Sequence, residues 1–84
     1  MNGNKPTEKF SAGAISVAVW ENSRKEENGE ESVSYSIKLE RSYKDEKGDW
    51  QRTQTLRLND LPKARLLLGK AFESVVMSDK DTSL

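Results

Sequence analysis

Eight side chains carry the chemistry this sequence can do: Trp20, Lys38, Arg41, Tyr43, Lys44, Trp50, Arg52 and Arg57. They are cations interleaved with flat rings, the combination that single-stranded nucleic acid requires. Cations follow the phosphates, and rings stack on unpaired bases for about 1–3 kcal/mol each. Other chemistries are thinly provided. The 84 residues include no cysteine and no histidine, which excludes disulfides, thiolate or imidazole metal sites and every Ser-His or Cys-His catalytic arrangement. The acids Glu26-Glu27, Glu30-Glu31 and Asp79-Asp81 match no Ca²⁺-loop spacing. No carboxylate pair lies in an apolar context that would shift its pKa. A non-enzyme that uses no cofactor and no metal is the expectation.

Charge supports a local face rather than a uniformly basic molecule. Fourteen Lys and Arg cancel fourteen Asp and Glu, yet residues 1–36 carry −2, residues 37–70 carry +4 and the last fourteen carry −2. Bulk charge therefore cannot drive binding, whereas a basic patch can. The longest apolar runs, Val17-Ala18-Val19-Trp20 and Leu66-Leu67-Leu68, are far below the roughly 20 residues of a membrane span. No signal peptide is evident at the start. The expectation is a soluble cytoplasmic protein with no membrane partner, nucleoid-associated if bacterial or archaeal.

The elements that must position these residues read in the order β-β-β-α, with a possible fourth strand. Residues 1–8 and 78–84 read as disordered tails around one domain, 9–77. The first strand, about Ala14–Glu21, alternates Ile15, Val17 and Val19 with Ser16, Ala18 and Trp20. Phe10 to Gly13 before it suggests a short extra strand set off by a bulge at Gly13. Asn22–Glu31 reads as a long mobile loop with a turn at Asn28-Gly29. The second strand, about Val33–Lys44, turns Val33, Tyr35, Ile37 and Leu39 one way and Ser34, Ser36, Lys38 and Glu40 the other. A tight turn with Gly48 follows. The third strand, about Trp50–Asn59, sets Leu56 and Leu58 against Gln51, Thr53, Thr55 and Arg57.

A helix comes next, capped by Asn59-Asp60 with Pro62 in its first turn. Ala64, Leu67, Leu68, Ala71, Phe72, Val75 and Val76 give it one wide apolar stripe. That stripe exceeds what a small sheet needs, so Leu66, Leu67, Leu68, Phe72, Val75 and Val76 read as a homodimer interface. Gly69 then permits close helix–helix approach. The fold class is α+β: a curved antiparallel sheet of three to four strands, then one C-terminal helix on its apolar face. The opposite face carries Trp20, Lys38, Lys44 and Arg57, and Tyr43 and Trp50 are expected side by side near the second turn. Each residue also has a purely structural reading. Trp20 would pack in an interface or under the loop, Tyr43 and Trp50 would brace the hairpin, and Lys38 and Arg57 would only solubilise.

The stretch Ser36-Ile37-Lys38-Leu39-Glu40-Arg41-Ser42-Tyr43-Lys44-Asp45-Glu46-Lys47-Gly48-Asp49-Trp50, then Leu56-Arg57-Leu58-Asn59 and a helix, resembles the single-stranded-DNA-binding domain of the transcriptional coactivator positive cofactor four. The Whirly proteins are more distant relatives of that domain. The resemblance covers about residues 10–77. It implies a β-β-β-β-α subunit, a helix-mediated homodimer, and single strands running over the sheets in replication, recombination or transcription. It gives Tyr43 a base-stacking role. Glu40 stands where the family has a DNA-contacting arginine, and Gln51 and Gln54 stand near its lysines; Lys38, Arg41, Arg52 and Arg57 are the candidates to compensate. The acids at those positions favour the alternative, a protein–protein interaction module on the same fold.

Overall fold

A computed structural model describes residues 5–77. Residues 1–4 and 78–84 of the expected tails lie outside the described residues. The elements are β1 (Glu8–Ala12), β2 (Ile15–Lys25), β3 (Glu31–Lys44), β4 (Trp50–Thr53), a 3₁₀ turn (Leu58–Asp60) and α1 (Leu61–Val76). The strands form one antiparallel sheet in the order β1-β2-β3-β4, so the α+β layout read from the sequence is the observed one. Glu8, placed in the tail by sequence, opens β1, and the Thr7 N–H donates to the Val19 carbonyl at 2.7 Å.

Three tight turns make the sheet. Gly13-Ala14 joins β1 to β2 as a two-residue hairpin turn, not a bulge, with Gly13 at φ +61° where such turns need a positive angle. The expected long loop at Asn22–Glu31 is mostly strand. Asn22–Lys25 pairs with Glu31–Ser34, leaving a five-residue turn closed by the Glu26 N–H on the Glu30 carbonyl at 2.7 Å. Its Asn28-Gly29 pair was legible; the pairing was not, because charged residues tolerate a hairpin arm wetted on both faces. The third turn, Asp45–Asp49, has the same build, with Asp45 N–H on the Asp49 carbonyl at 2.9 Å and Gly48 at φ +88°.

Strand β4 ends at Thr53, well short of the expected Asn59. Beyond it the chain leaves the sheet for the 3₁₀ turn. Leu56 still packs against the core, but Leu58 is 80 % exposed instead of sharing the apolar face. Asp60 does not cap α1 with its side chain. Its carboxylate turns back to accept the Arg57 backbone N–H at 2.8 Å and to pair with the Arg41 guanidinium at 3.5 Å.

The core is small and lies where α1 crosses β1 and β2. Among the described residues the buried apolar set is Ile15, Val17 and Val19 of β2 with Ala64, Leu67 and Ala71 of α1. The helix shows small residues to the sheet, which lets the backbones approach, and keeps Leu61, Leu68, Phe72 and Val76 exposed on one flank. Leu67 is therefore core of its own subunit, not the dimer contact expected. Val75 is half-buried against the same core. Leu66 is exposed on the far side of the helix from Leu68 and Phe72. A Cβ added at Gly69 would meet nothing within 4 Å, so no close approach inside the chain explains that residue.

Urea unfolding checks this distribution. Ile15→Ala should cost about 2–4 kcal/mol, as for a fully buried branched side chain. Leu58→Ala should stay within about 0.5 kcal/mol. Gly69→Ala should stabilise by about 0.5–1 kcal/mol through helix propensity alone. A costly Gly69→Ala would show that the site is occupied at close range.

Candidate nucleic-acid interface

Strand register decides which side chains share a surface, because residues opposed across an antiparallel pair point the same way. On β2 the buried Ile15, Val17 and Val19 oppose Arg41, Leu39 and Ile37. All of these face α1. The alternate residues point to the uncovered side: Ser16 opposite Glu40, Ala18 opposite Lys38, Trp20 opposite Ser36, and Arg24 opposite Ser32. Lys9 joins them from β1, opposite Ala18. From β4 come Trp50 opposite Lys44 and Arg52 opposite Ser42. This open face thus gathers the cations Lys9, Arg24, Lys38, Lys44 and Arg52, the rings Trp20 and Trp50, and a row of hydroxyls, against the carboxylates of Glu40 and of Glu26, which pairs with Arg24 at 3.9 Å and accepts the Ser32 hydroxyl.

The face is partly tied together. Glu40 lies 3.7 Å from the Lys38 ammonium and 3.6 Å from the Arg52 guanidinium. Both cations remain more than half exposed while Glu40 is largely covered, so the acid holds them in place without removing them from solvent. The Lys44 ammonium sits 5.4 Å from the centre of the Trp50 ring, within cation–π range. Trp50 is 68 % exposed and Trp20 half-buried. Their β3 partners, Ser36 and Lys44, are eight residues apart, which separates the rings by about 27 Å along the strand. The Asn22 amide donates to the Ser36 hydroxyl at 3.1 Å beside Trp20.

Three of the eight sequence-derived residues lie elsewhere. Tyr43 pairs with Gln51 and faces the helix side, so it and Trp50 stand on opposite faces and not side by side. Arg41 also faces that side. Its guanidinium donates to the Thr55 carbonyl at 3.1 Å, pairs with Asp60 and lies 5.7 Å from the Tyr43 ring. It pins the segment after β4 to the sheet, with its side chain only 14 % exposed. Arg57 is off the sheet altogether, 3.9 Å from Asp60. Gln51 and Thr53, expected on the polar face, share the helix side with Tyr43 and Arg41. Sequence reasoning missed Lys9, which lies in a β1 that begins earlier than the short extra strand expected, and Arg24 and Ser32, whose place on the open face follows from pairing that a long loop would not have had.

Among the described residues no cluster of acids could hold a metal ion, and no helix is long and apolar enough to cross a membrane. Comparison with protein-family models, curated proteins and solved structures returns no match for this chain.

The turn that presents Lys44 and Trp50 depends on one carboxylate. Asp45 accepts the Asp49 N–H at 2.9 Å, the Gln51 side-chain amide at 3.0 Å and the Lys47 N–H at 3.0 Å. These bonds, that from Asp49 foremost and that from Gln51 next, hold its pKa below the usual aspartate value. A lowered folded-state pKa means the turn's stabilisation is present above the unfolded value and is lost as pH falls through the folded one. Carboxyl ¹³C titration should therefore place the Asp45 midpoint below that of an unstructured aspartate, with the Asp49 amide shift following the same curve. A midpoint at or above the ordinary value would contradict this.

Proposed function

We propose that this chain is a binding protein for single-stranded nucleic acid, DNA or RNA, that acts as a homodimer and engages the strand across the open face of its sheet without sequence selectivity. The observation that carries the reading is segregation. A chain of zero net charge puts five cations, two acids and both tryptophans on a face that, among the described residues, no helix covers. A sheet of this kind offers rings at fixed spacing and phosphate contacts between them. Recognition through stacking and charge tolerates any base, since every base has a π-face.

The site is Trp20, Lys38, Lys44, Trp50 and Arg52, with Lys9 and Arg24 at its margins. Arg41 and Tyr43 serve it from behind by fixing the β3–β4 hairpin. A second reading, a protein-interaction module, draws on a different observation: Tyr35, Ile37 and Phe72 are exposed on the helix side.

Tryptophan fluorescence titrated with a single-stranded oligonucleotide and its duplex over a salt series tests the first reading. Single strands should bind more tightly than duplex, whose bases already stack on one another. The log–log salt slope should fall by about 0.7 for each of Lys38→Ala, Lys44→Ala and Arg52→Ala that removes a phosphate contact. Trp50→Ala should weaken binding by about 1–3 kcal/mol with the slope unchanged, while Tyr43→Ala should leave affinity nearly intact. Equal affinity for single and double strands, or indifference to the open-face substitutions, would favour the interaction module.

A further inference from the structure

Strand β3 is fourteen residues long, but β4 pairs only with its last four, Arg41–Lys44. Among the described residues, residues 31–40 have β2 on one side and no strand on the other. The Ser42 N–H donates to the Ala14 carbonyl on the β2 side at 2.8 Å. Even-numbered residues of β3 therefore turn their backbone groups to β2, and the odd-numbered ones turn theirs outward. Glu31, Val33, Tyr35, Ile37 and Leu39 thus present a free row of N–H and C=O groups. Four of the same residues carry apolar side chains on the helix side: Leu39 packs against the core, while Val33, Tyr35 and Ile37 are exposed by 49 %, 41 % and 46 %. The edge has no proline and its register with β2 is unbroken by a bulge, so it lacks the usual protections against pairing.

We propose that this edge is where two copies of the chain meet: β3 of one pairs antiparallel with β3 of the other about a two-fold axis at Tyr35, joining two four-stranded sheets into one of eight.

Three observations select a second copy as the occupant. An antiparallel pair about a two-fold axis is self-complementary, since each strand gives and takes the same row of bonds. The apolar row Val33, Tyr35, Ile37 then meets its own copy in reverse order. Charge also matches end to end. The hairpin tip, Arg24 and Lys25 with Glu26, Glu27, Glu30 and Glu31, carries −2. Antiparallel pairing sets it beside the other copy's Lys38, Glu40, Arg41, Lys44 and Arg52, which carry +3. The core, finally, is too small to dispense with a partner. Six buried apolar side chains among the described residues, in a molecule 16 Å thick, leave a need for further burial. The helix flank also borders this strip at its near end, where Leu68 lines one cavity with Leu39 and Leu56. The contact is distinct from packing helix on helix, and it stands without the nucleic-acid reading. Where that reading also holds, the two open faces become one continuous surface.

The chain has no cysteine, so one introduced thiol is unambiguous. Tyr35→Cys, oxidised at micromolar concentration, should yield covalent dimers, because on the axis the two Cα atoms lie about 5 Å apart and suit a disulfide. Val33→Cys should not, since its two copies are offset by four residues, about 14 Å along the strands. Phe72→Cys should cross-link far less. Ile37→Lys, at an exposed position that leaves the monomer fold intact, should reduce the sedimentation-equilibrium mass from two chains to one with an unchanged circular dichroism spectrum. A monomeric wild type, cross-linking through Phe72→Cys alone, or an Ile37→Lys variant that stays dimeric would each overturn the proposal. Oligonucleotide titration of the same proteins separates the two claims. A cross-linked dimer that binds no single strand defeats the function and leaves the contact, and a monomer that binds does the reverse.

Discussion

One helix is too narrow for this sheet. An α-helix with its side chains is about 10 Å across, and strands lie about 4.8 Å apart, so α1 covers two strands of the four. It covers β1 and β2. Every other surface of the molecule follows from that limit. The core gathers on β2, where Ile15, Val17 and Val19 are fully buried. Strand β3 is left with a bare polar face, a bare apolar strip and a bare edge. A single small core has to hold all of this, and Arg41 helps by tying Thr55 and Asp60 to the sheet.

The uncovered polar face is what gives a neutral chain a basic surface. Many of the acids lie in turns, and Glu26 reaches back from one of them to pair with Arg24. Glu26, Glu27 and Glu30 sit in one turn, and Asp45, Glu46 and Asp49 in another. Asp45 is bound into its turn by three donors. Glu40 stays on the face, where it spaces Lys38 and Arg52. Two hairpins set Trp20 and Trp50 about 27 Å apart on one surface, and under the proposed function a flexible strand, not the protein, would carry most of the ordering entropy.

Much of this was legible. The period-two alternation of Ile15–Val19 and Val33–Leu39 gave both long strands and their faces, and Asn28-Gly29 and Gly48 gave the turns. What escaped depended on parity and on distant partners. Tyr43 and Trp50 flank the same turn, but its five-residue closure, Asp45 to Asp49, pairs residue 44 with 50 and residue 43 with 51. One step of register sends the rings to opposite faces. The Leu56-x-Leu58 pattern suits a strand and an extended exit equally, and the chain takes the exit. The structural role of Arg41 rests on Asp60, nineteen residues away, which no local pattern signals. The helix stripe was correctly apolar, yet its large residues went to the flank because Ala64 and Ala71 allow the closer approach.

The proposed function puts the nucleic-acid strand on the face opposite α1. ¹H–¹⁵N NMR of the uniformly labelled protein, titrated with a short oligothymidine, tests it directly through side-chain probes on each face. The indole N–H signals of Trp20 and Trp50 should move on binding, together with the guanidinium Nε–H of Arg52. The Nε–H of Arg41, on the helix side, should stay where it is. Shifts concentrated at Arg41 and along α1, with both indoles unmoved, would contradict it.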